Sequence, residues 1–254
     1  MSKNNILPLL LFLSLAFQAT AQKFPEHPEP ARPNTGPAIL THFSVGLQMP
    51  AGDMADRFGL NGNFGGGAEW ISPGNFIFGL EGHYIFGNKV KEDPLAILRT
   101  PEGDIIGGNQ LVAEVALRER GYYIGGLIGK LFPMGAQRSG IRVSLGAGML
   151  RHWIRLQDNS SSVPQLSGDY AKGYDRLTGG LMLQQFVGWQ HLSANRRSNW
   201  MIGLELGQGF TESLRSWDFT EMRKLDEKRT DLRFGIRLTW TLPFYMSGAE
   251  NIYY

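Results

Sequence analysis

The chain has 254 residues, of which 42% are hydrophobic and 19% charged, and its 25 Lys+Arg against 23 Asp+Glu leave a formal net charge of +2. Charge so evenly balanced argues against a nucleic-acid partner, which calls for a concentrated basic face. The absence of cysteine excludes a disulfide framework, a Cys-ligated zinc site, a thiol nucleophile and an acylated N-terminal lipoprotein cysteine.

Residues 1–21 read as a secretory signal peptide. Lys3 supplies a positive n-region, Ile6 to Phe17 is an apolar h-region, and Ala19-Thr20-Ala21 is a small-x-small site with cleavage between Ala21 and Gln22. A membrane anchor is the competing reading, but the run contains Pro8 and falls short of the ~20 residues that a spanning helix needs. Residues 22–37 carry Pro25, Pro28, Pro30, Pro33 and Pro37 and read as an extended periplasmic linker.

From residue 38 to 245 the dominant signal is period two. In Thr230 to Phe244, Leu232, Phe234, Ile236, Leu238, Trp240 and Leu242 share one face, opposite Asp231, Arg233, Gly235, Arg237, Thr239 and Thr241. Asn199 to Thr211, Phe76 to Phe86 and Ile141 to Met149 alternate in the same way. Less regular runs at His42 to Met49, Phe64 to Ser72, Tyr122 to Phe132 and Leu177 to Trp189 bring the count to about eight strands. The 33 glycines, about twice the usual ~7% share, belong inside these ordered elements. Residues 246–254 form a short tail.

The links alternate in length. Ser72 to Asn75, Met134 to Gly140 and Ser193 to Ser198 are tight and rich in turn formers. Pro50 to Asn63, Asn88 to Gly121, Gln157 to Gly173 and Glu212 to Arg229 are longer and polar. This rhythm is that of a closed antiparallel up-and-down transmembrane β-barrel, with short periplasmic turns and long extracellular loops.

A soluble lipocalin-type barrel also alternates, but it turns its apolar face inward. Two features favour the membrane barrel. The polar face holds Gly, Ser, Thr, Gln, Glu and Arg, which suit the cramped interior of an eight-stranded barrel, and Lys130 is the only lysine within these strands. Trp70, Trp189, Trp200 and Trp240 fall at periplasmic strand ends and Trp153 at an extracellular end, as interfacial aromatics do. On the inward face Glu69, Glu81 and Glu205 match Arg142, Arg233 and Arg237 in number, and antiparallel pairing brings Glu205 and Arg237 to nearly one level. An unpaired charge there would cost several kcal/mol, so these six side chains are expected to form one network that blocks the lumen.

Arg233, Gly235, Leu238 and Trp240 lie in a strand that is similar to the C-terminal signal recognised by the barrel-assembly machinery of the outer membrane, although Tyr245 to Tyr254 follow it here. Together with the Ala-Gln junction, Gly52-Asp53, Arg57-Phe58-Gly59 and the glycine-rich second strand, it resembles the outer-membrane β-barrel family of Bacteroidota. That family comprises small OmpA-like and porin-like barrels, some of them associated with type IX secretion. The resemblance implies an outer-membrane location, outer-membrane lipid and the assembly machinery as partners, and envelope or secretion proteins reached through the extracellular loops or the linker.

Motifs for chemistry are weak. A Walker A loop ending at Gly129-Lys130 would need glycine at 124 and Ser or Thr at 131, where Ile124 and Leu131 stand. Gly65-Gly66-Gly67 opens no helix and reads as close-packed strand. The five histidines show no metal-ligand spacing, so neither metal nor cofactor is expected. His152 and the Ser160-Ser161-Ser162 loop keep a barrel enzyme acting on lipid A or peptide as an alternative, and a narrow passive channel is another. Thr100 to Asp104 flanked by Leu98 and Ile105-Ile106 reads as a small projecting hairpin. Trp217 and Phe219 amid the charges of Glu212 to Arg229 read as a solvated loop or as a docking surface. The expectation is a non-enzymatic, monomeric, plugged barrel that serves as a structural or interaction component of the envelope.

Overall fold

The computed structural model describes residues 36–134, 138–193 and 198–246. The expected signal peptide with its Ala21/Gln22 junction, nearly all of the proline-rich linker and the tail beyond Met246 lie outside them.

The elements are β1 (Ala38–Gly52), α1 (Asp53–Arg57), β2 (Asn61–Ile71), β3 (Phe76–Gly87), β4 (Ile105–Ile106), β5 (Val112–Ala113), β6 (Val115–Pro133), β7 (Gly140–Asp158), β8 (Thr178–Leu192), β9 (Asn199–Ser213) and β10 (Arg229–Tyr245). Eight of the strands form a closed antiparallel barrel in the order β1-β10-β9-β8-β7-β6-β3-β2. Apart from the inserted β4-β5 pair, each strand pairs with its neighbour in sequence, and β1 closes onto β10 from Ala38↔Tyr245 to Gly52↔Asp231.

The period-two pattern sets the two faces. On β10 Phe234, Ile236, Leu238 and Trp240 are exposed, whereas Asp231, Arg233, Arg237 and Thr239 are buried inside the barrel. Leu204, at 67% exposed, and Leu80, at 70%, belong to the same outward apolar belt. Water gains nothing from such a surface, so the belt needs an apolar surround.

The eight runs seen in the sequence are the eight barrel strands, but β1, β6 and β7 exceed their expected lengths, β1 running from Ala38 to Gly52 rather than from His42 to Met49. β6 begins at Val115 rather than Tyr122, and β7 runs to Asp158 rather than Met149. The two pair without interruption from Val115↔Asp158 to Pro133↔Gly140. Arg118, Arg120, Arg151 and Arg155 face outward in this extension, so apolar alternation stops while hydrogen-bonded strand continues. The link from Asn88 is shortened accordingly, to residues 88–114, whereas the link after β7 shifts to residues 159–177. The Ser72 to Asn75 turn is tight, with Asn75 in the left-handed region at φ 63°, a conformation Asn tolerates. Arg138 fixes it by donating from Nε to Asn75 Oδ1 (2.6 Å) and from Nη1 to Gly36 O (2.6 Å).

Candidate functional site: the lumen network and the cap

The lumen is stratified. At the end with the tight turns Ala38, Leu40, Ile71, Ile77, Leu127 and Leu131 form an apolar cluster. Above it Arg142 makes a two-pronged contact with Glu69, Nη1 to Oε2 and Nη2 to Oε1, both at 2.7 Å. His42 Nδ1 lies 3.6 Å from the same carboxylate, and Arg142 also donates to Gln190 (3.4 Å). All these residues reach the lumen by strand parity alone.

The next level is a second cluster. Arg237 Nη1 donates to Glu81 Oε2 (2.9 Å) and its Nε lies 3.4 Å from Glu205 Oε2. Gln184 donates to Glu81 and Gln48 to Glu205, each at 3.0 Å. The Arg237 guanidinium rests on Phe186, 4.6 Å from the ring centroid. Phe186 fits there because Gly188 and Gly203 lack side chains: a Cβ on either would stand within 2.7 Å of the ring. Glu205 faces Gly235 and Arg237 faces Gly203 across the β9–β10 pair, the near-level meeting that the alternation anticipated.

Arg233 departs from expectation. It donates to Gln48 Oε1 (3.3 Å) and Met182 Sδ (3.0 Å), with no carboxylate within 4 Å among the described residues. At 2% exposed, it is held by neutral groups and joins the Glu205 level only through Gln48, so the six side chains form two clusters, one of them including an arginine without an ion pair, rather than one network. The sequence reading also left out Glu119, His83 and the pair His152–Asp231. Glu119 accepts both of its contacts from Asn61 Nδ2, at 3.0 Å, and was hidden because β6 was begun too late. His83 shares the parity of Glu81 and was legible from it. Its Nε2 lies 3.3 Å from Glu81 Oε2.

His152 is buried, with Nε2 2.9 Å from Asp231 Oδ2, an atom that also accepts from Thr211 Oγ1 at 2.6 Å. Its ring meets Phe58 edge-on. Ser160 instead bonds Asp158 and Ser162, so the structure does not bring the loop serines to this histidine. Among the described residues no group of three or more His, Asp or Glu could hold a metal.

Four of the five tryptophans expected at the interfaces stand outward near the tight-turn end. Trp70, Trp189, Trp200 and Trp240 are exposed there, and Trp200 pairs with Trp240 across strands. Trp153 is half-buried and sits five residues inside the end of β7, edge-on to Tyr122; the longer strand removes it from the terminal position expected. Lys130 lies on the outward face, over Phe76 at 4.4 Å, not in the lumen. Gly235 and Leu238 of the assembly-type signal occupy the inward and outward faces of β10. Gly65 and Gly67 do pack tightly in β2, since a Cβ on either would stand 2.1 Å from a β3 carbonyl oxygen.

At the opposite end the long links form a cap with its own core. Leu95, Ile105, Ala113, Val163 and Tyr174 are buried together, with Leu98, Leu166 and Phe219 against them. A second group unites Met54 and Phe58 with Ile154. Thr100 to Asp104 is a turn, closed by Thr100 N to Asp104 O at 2.8 Å and by an antiparallel bridge between Arg99 and Ile105, and the paired strands β4 and β5 meet across the next turn. Polar groups tie the links together. Arg176 contacts Glu92 (3.0 Å), Asp218 (2.9 Å) and Glu221 (3.5 Å), and Arg57 contacts Glu92 (2.7 Å). Burial pushes the Arg57 cation below its usual range and Glu92 opposes that shift, while the hydrogen bond to Asp175 raises Arg215. Phe219 therefore serves the cap interior, and Trp217 is the exposed aromatic of its link.

No family model matches the chain, and no curated protein does. Among solved structures, Neisserial surface protein A is 9% identical with a TM-score of 0.45, over 82% of this chain and 99% of that one. Ail, the attachment invasion locus protein of Yersinia pestis, is 12% identical with a TM-score of 0.38, over 81% and 99%. The N-terminal β-barrel domain of Pseudomonas aeruginosa OprF is 8% identical with a TM-score of 0.32, over 79% and 97%.

Proposed function

We propose that the chain is an exported, non-enzymatic outer-membrane β-barrel with a plugged lumen, acting through its cap as a structural or interaction component of the envelope, within a secretion or assembly complex. The observation that carries this reading is the inversion of polarity. Apolar side chains cover the outside of a closed antiparallel barrel, while paired carboxylates and guanidiniums fill the inside. A membrane barrel with a water-filled pore would leave its inward charges hydrated, whereas here Arg142 is paired with Glu69, and Arg237 with both Glu81 and Glu205, in a narrow lumen.

Outer-membrane lipid surrounds the belt in this proposal, and the barrel-assembly machinery reads Arg233, Gly235, Leu238 and Trp240 on β10. Trp217, with Arg215 and Arg223 in the same link, is the part of the cap offered to a protein partner. Cell fractionation and planar-bilayer recording test the proposal. The mature chain should begin at Gln22, sediment with the outer membrane and show no stable porin-sized conductance. Recovery from the soluble periplasm, or a long-lived open channel from purified protein, contradicts it.

A further inference from the structure

Above the apolar belt one sector of the barrel wall changes chemistry. Arg118 and Arg120 on β6 and Arg151 and Arg155 on β7 occupy the outward parity of Ile124 and Met149. Arg118 stands directly across from Arg155, Arg120 across from Trp153, and Arg151 across from Tyr122. Like charges placed opposite one another destabilise a strand pair. No carboxylate among the described residues lies within 4 Å of any of the four. Glu119 on the same strand points into the lumen and gives Arg120 only its backbone oxygen, at 2.6 Å. Glu212 faces outward on β9, opposite Gly179, one strand further from Arg151. At comparable height the other strands present Thr230, Phe210 and Ala51 outward and no arginine.

Two of the guanidiniums are already positioned, Arg120 by the Glu119 backbone oxygen and Arg118 by two side chains. Arg118 Nε donates to Gln157 Oε1 (2.7 Å) and Nη1 to Asn88 Oδ1 (2.6 Å). Asn88 also lines the rim of an apolar groove of about 900 Å³ on the outer wall, with Val45, Leu47, Phe64, Phe86 and Ile236 among its sides. Phe86 lies flat there because Gly62 beneath it has no side chain: a Cβ would stand 2.9 Å from the ring. The arginine sector and the groove thus meet at Asn88, and Phe86 is itself the cross-strand partner of Arg120.

We propose that this surface binds an acylated, phosphorylated lipid of the outer leaflet, its phosphates on the four arginines and an acyl chain in the groove. Charge complementarity decides the occupant. Guanidinium forks match phosphate oxygens in geometry as well as in charge, and the groove offers apolar walls directly below. The inference rests on the membrane reading proposed above.

Purified full-length chain in a nonionic detergent, given diphosphorylated lipid A, tests it by native mass spectrometry of the retained lipid. The wild type should retain lipid A and lose it with Arg151→Gln/Arg155→Gln by about tenfold, because two charge-assisted phosphate contacts disappear. Neither side chain makes a hydrogen bond to the protein among the described residues, and heat-modifiable mobility checks that the variant is folded. Lys130→Gln at the opposite rim should change nothing, and dephosphorylated lipid A should be retained as poorly by the wild type as the phosphorylated form is by the double variant. Equal retention of the two lipids, or an unaffected double variant, overturns the site. Displacement of lipid A by an equal concentration of inorganic phosphate overturns the lipid assignment in favour of a free anion. A chain that stays soluble without detergent overturns the membrane reading itself, which is a separate failure.

Discussion

The lumen and the cap both bury arginines against carboxylates, but they fix them by different means. In the lumen the backbone is regular ladder, and every inward group follows from strand parity and register: Glu69 and Arg142, 73 residues apart, meet because β2 and β7 both turn that parity inward. In the cap no periodicity operates. Arg176 is held by Glu92, Asp218 and Glu221 from two other links, and main-chain bonds such as Phe219 N to Gly173 O (3.0 Å) do the positioning. Charge in the lumen is therefore tied to the stability of the whole barrel, and charge in the cap to the order of the loops alone.

Substitutions that separate the two regions should break that comparison if it is wrong. The largest effect is expected from Arg142→Ala, which strands Glu69 in the lumen. Loss of one partner of a buried ion pair costs on the order of 3–5 kcal/mol, read as a lowered urea midpoint for the protein in lipid vesicles. A midpoint like the wild type's would mean that Glu69 is solvated and the lumen wet.

Arg237→Ala should lower the midpoint too. Because Glu205 and Arg237 touch, Glu205→Ala should add less in that background than alone, with a coupling of about 0.5–3 kcal/mol in a double-mutant cycle. Additive effects would sever the two residues.

In the cap, Arg176→Ala should raise the rate at which an added protease cuts the links, while changing the global midpoint by less than the lumen variants do, since local opening is cheaper than unfolding. Loss of the barrel midpoint with Arg176→Ala would show that the two regions share one cooperative unit. The smallest effect belongs to Trp217→Ala. This exposed side chain should shift stability by no more than about 0.5 kcal/mol, so any loss of partner binding would report the contact alone.

The same contrast explains what the sequence made legible. Eight strands, their two faces, the tight turns and the Glu205–Arg237 meeting all follow from alternation, which leaves its trace in every second residue. Arg233 went astray because parity tells where a side chain points and not which neighbour reaches it: Gln48 and Met182 stand closer than any carboxylate. The upper halves of β6 and β7 were lost because Arg118, Arg120, Arg151 and Arg155 occupy outward positions where apolar residues were sought. The cap core was invisible for a deeper reason. Leu95 and Ile105 come from one link and Val163 and Tyr174 from another, and their convergence depends on loop geometry that no local pattern encodes. Phe219 consequently reads as part of a solvated loop or of a docking surface, whereas it packs against the cap core.

The seam between β1 and β10 bears on how the molecule comes into being. Ala38 faces Tyr245, the contact of greatest separation along the chain in the barrel, so its formation carries the heaviest loop-closure cost and belongs late in assembly. Until β10 is in place, β1 and β9 each present a row of unpaired amides and carbonyls, the kind of edge that recruits foreign strands. A nascent chain halted before Arg229 would thus be more than one strand short: it would be an open ribbon with two adhesive margins. The residues that end this exposure include Arg233 to Trp240, the stretch proposed above as the assembly signal, so on that proposal the strand that zips the wall shut is also the one best placed to report that the wall can be shut.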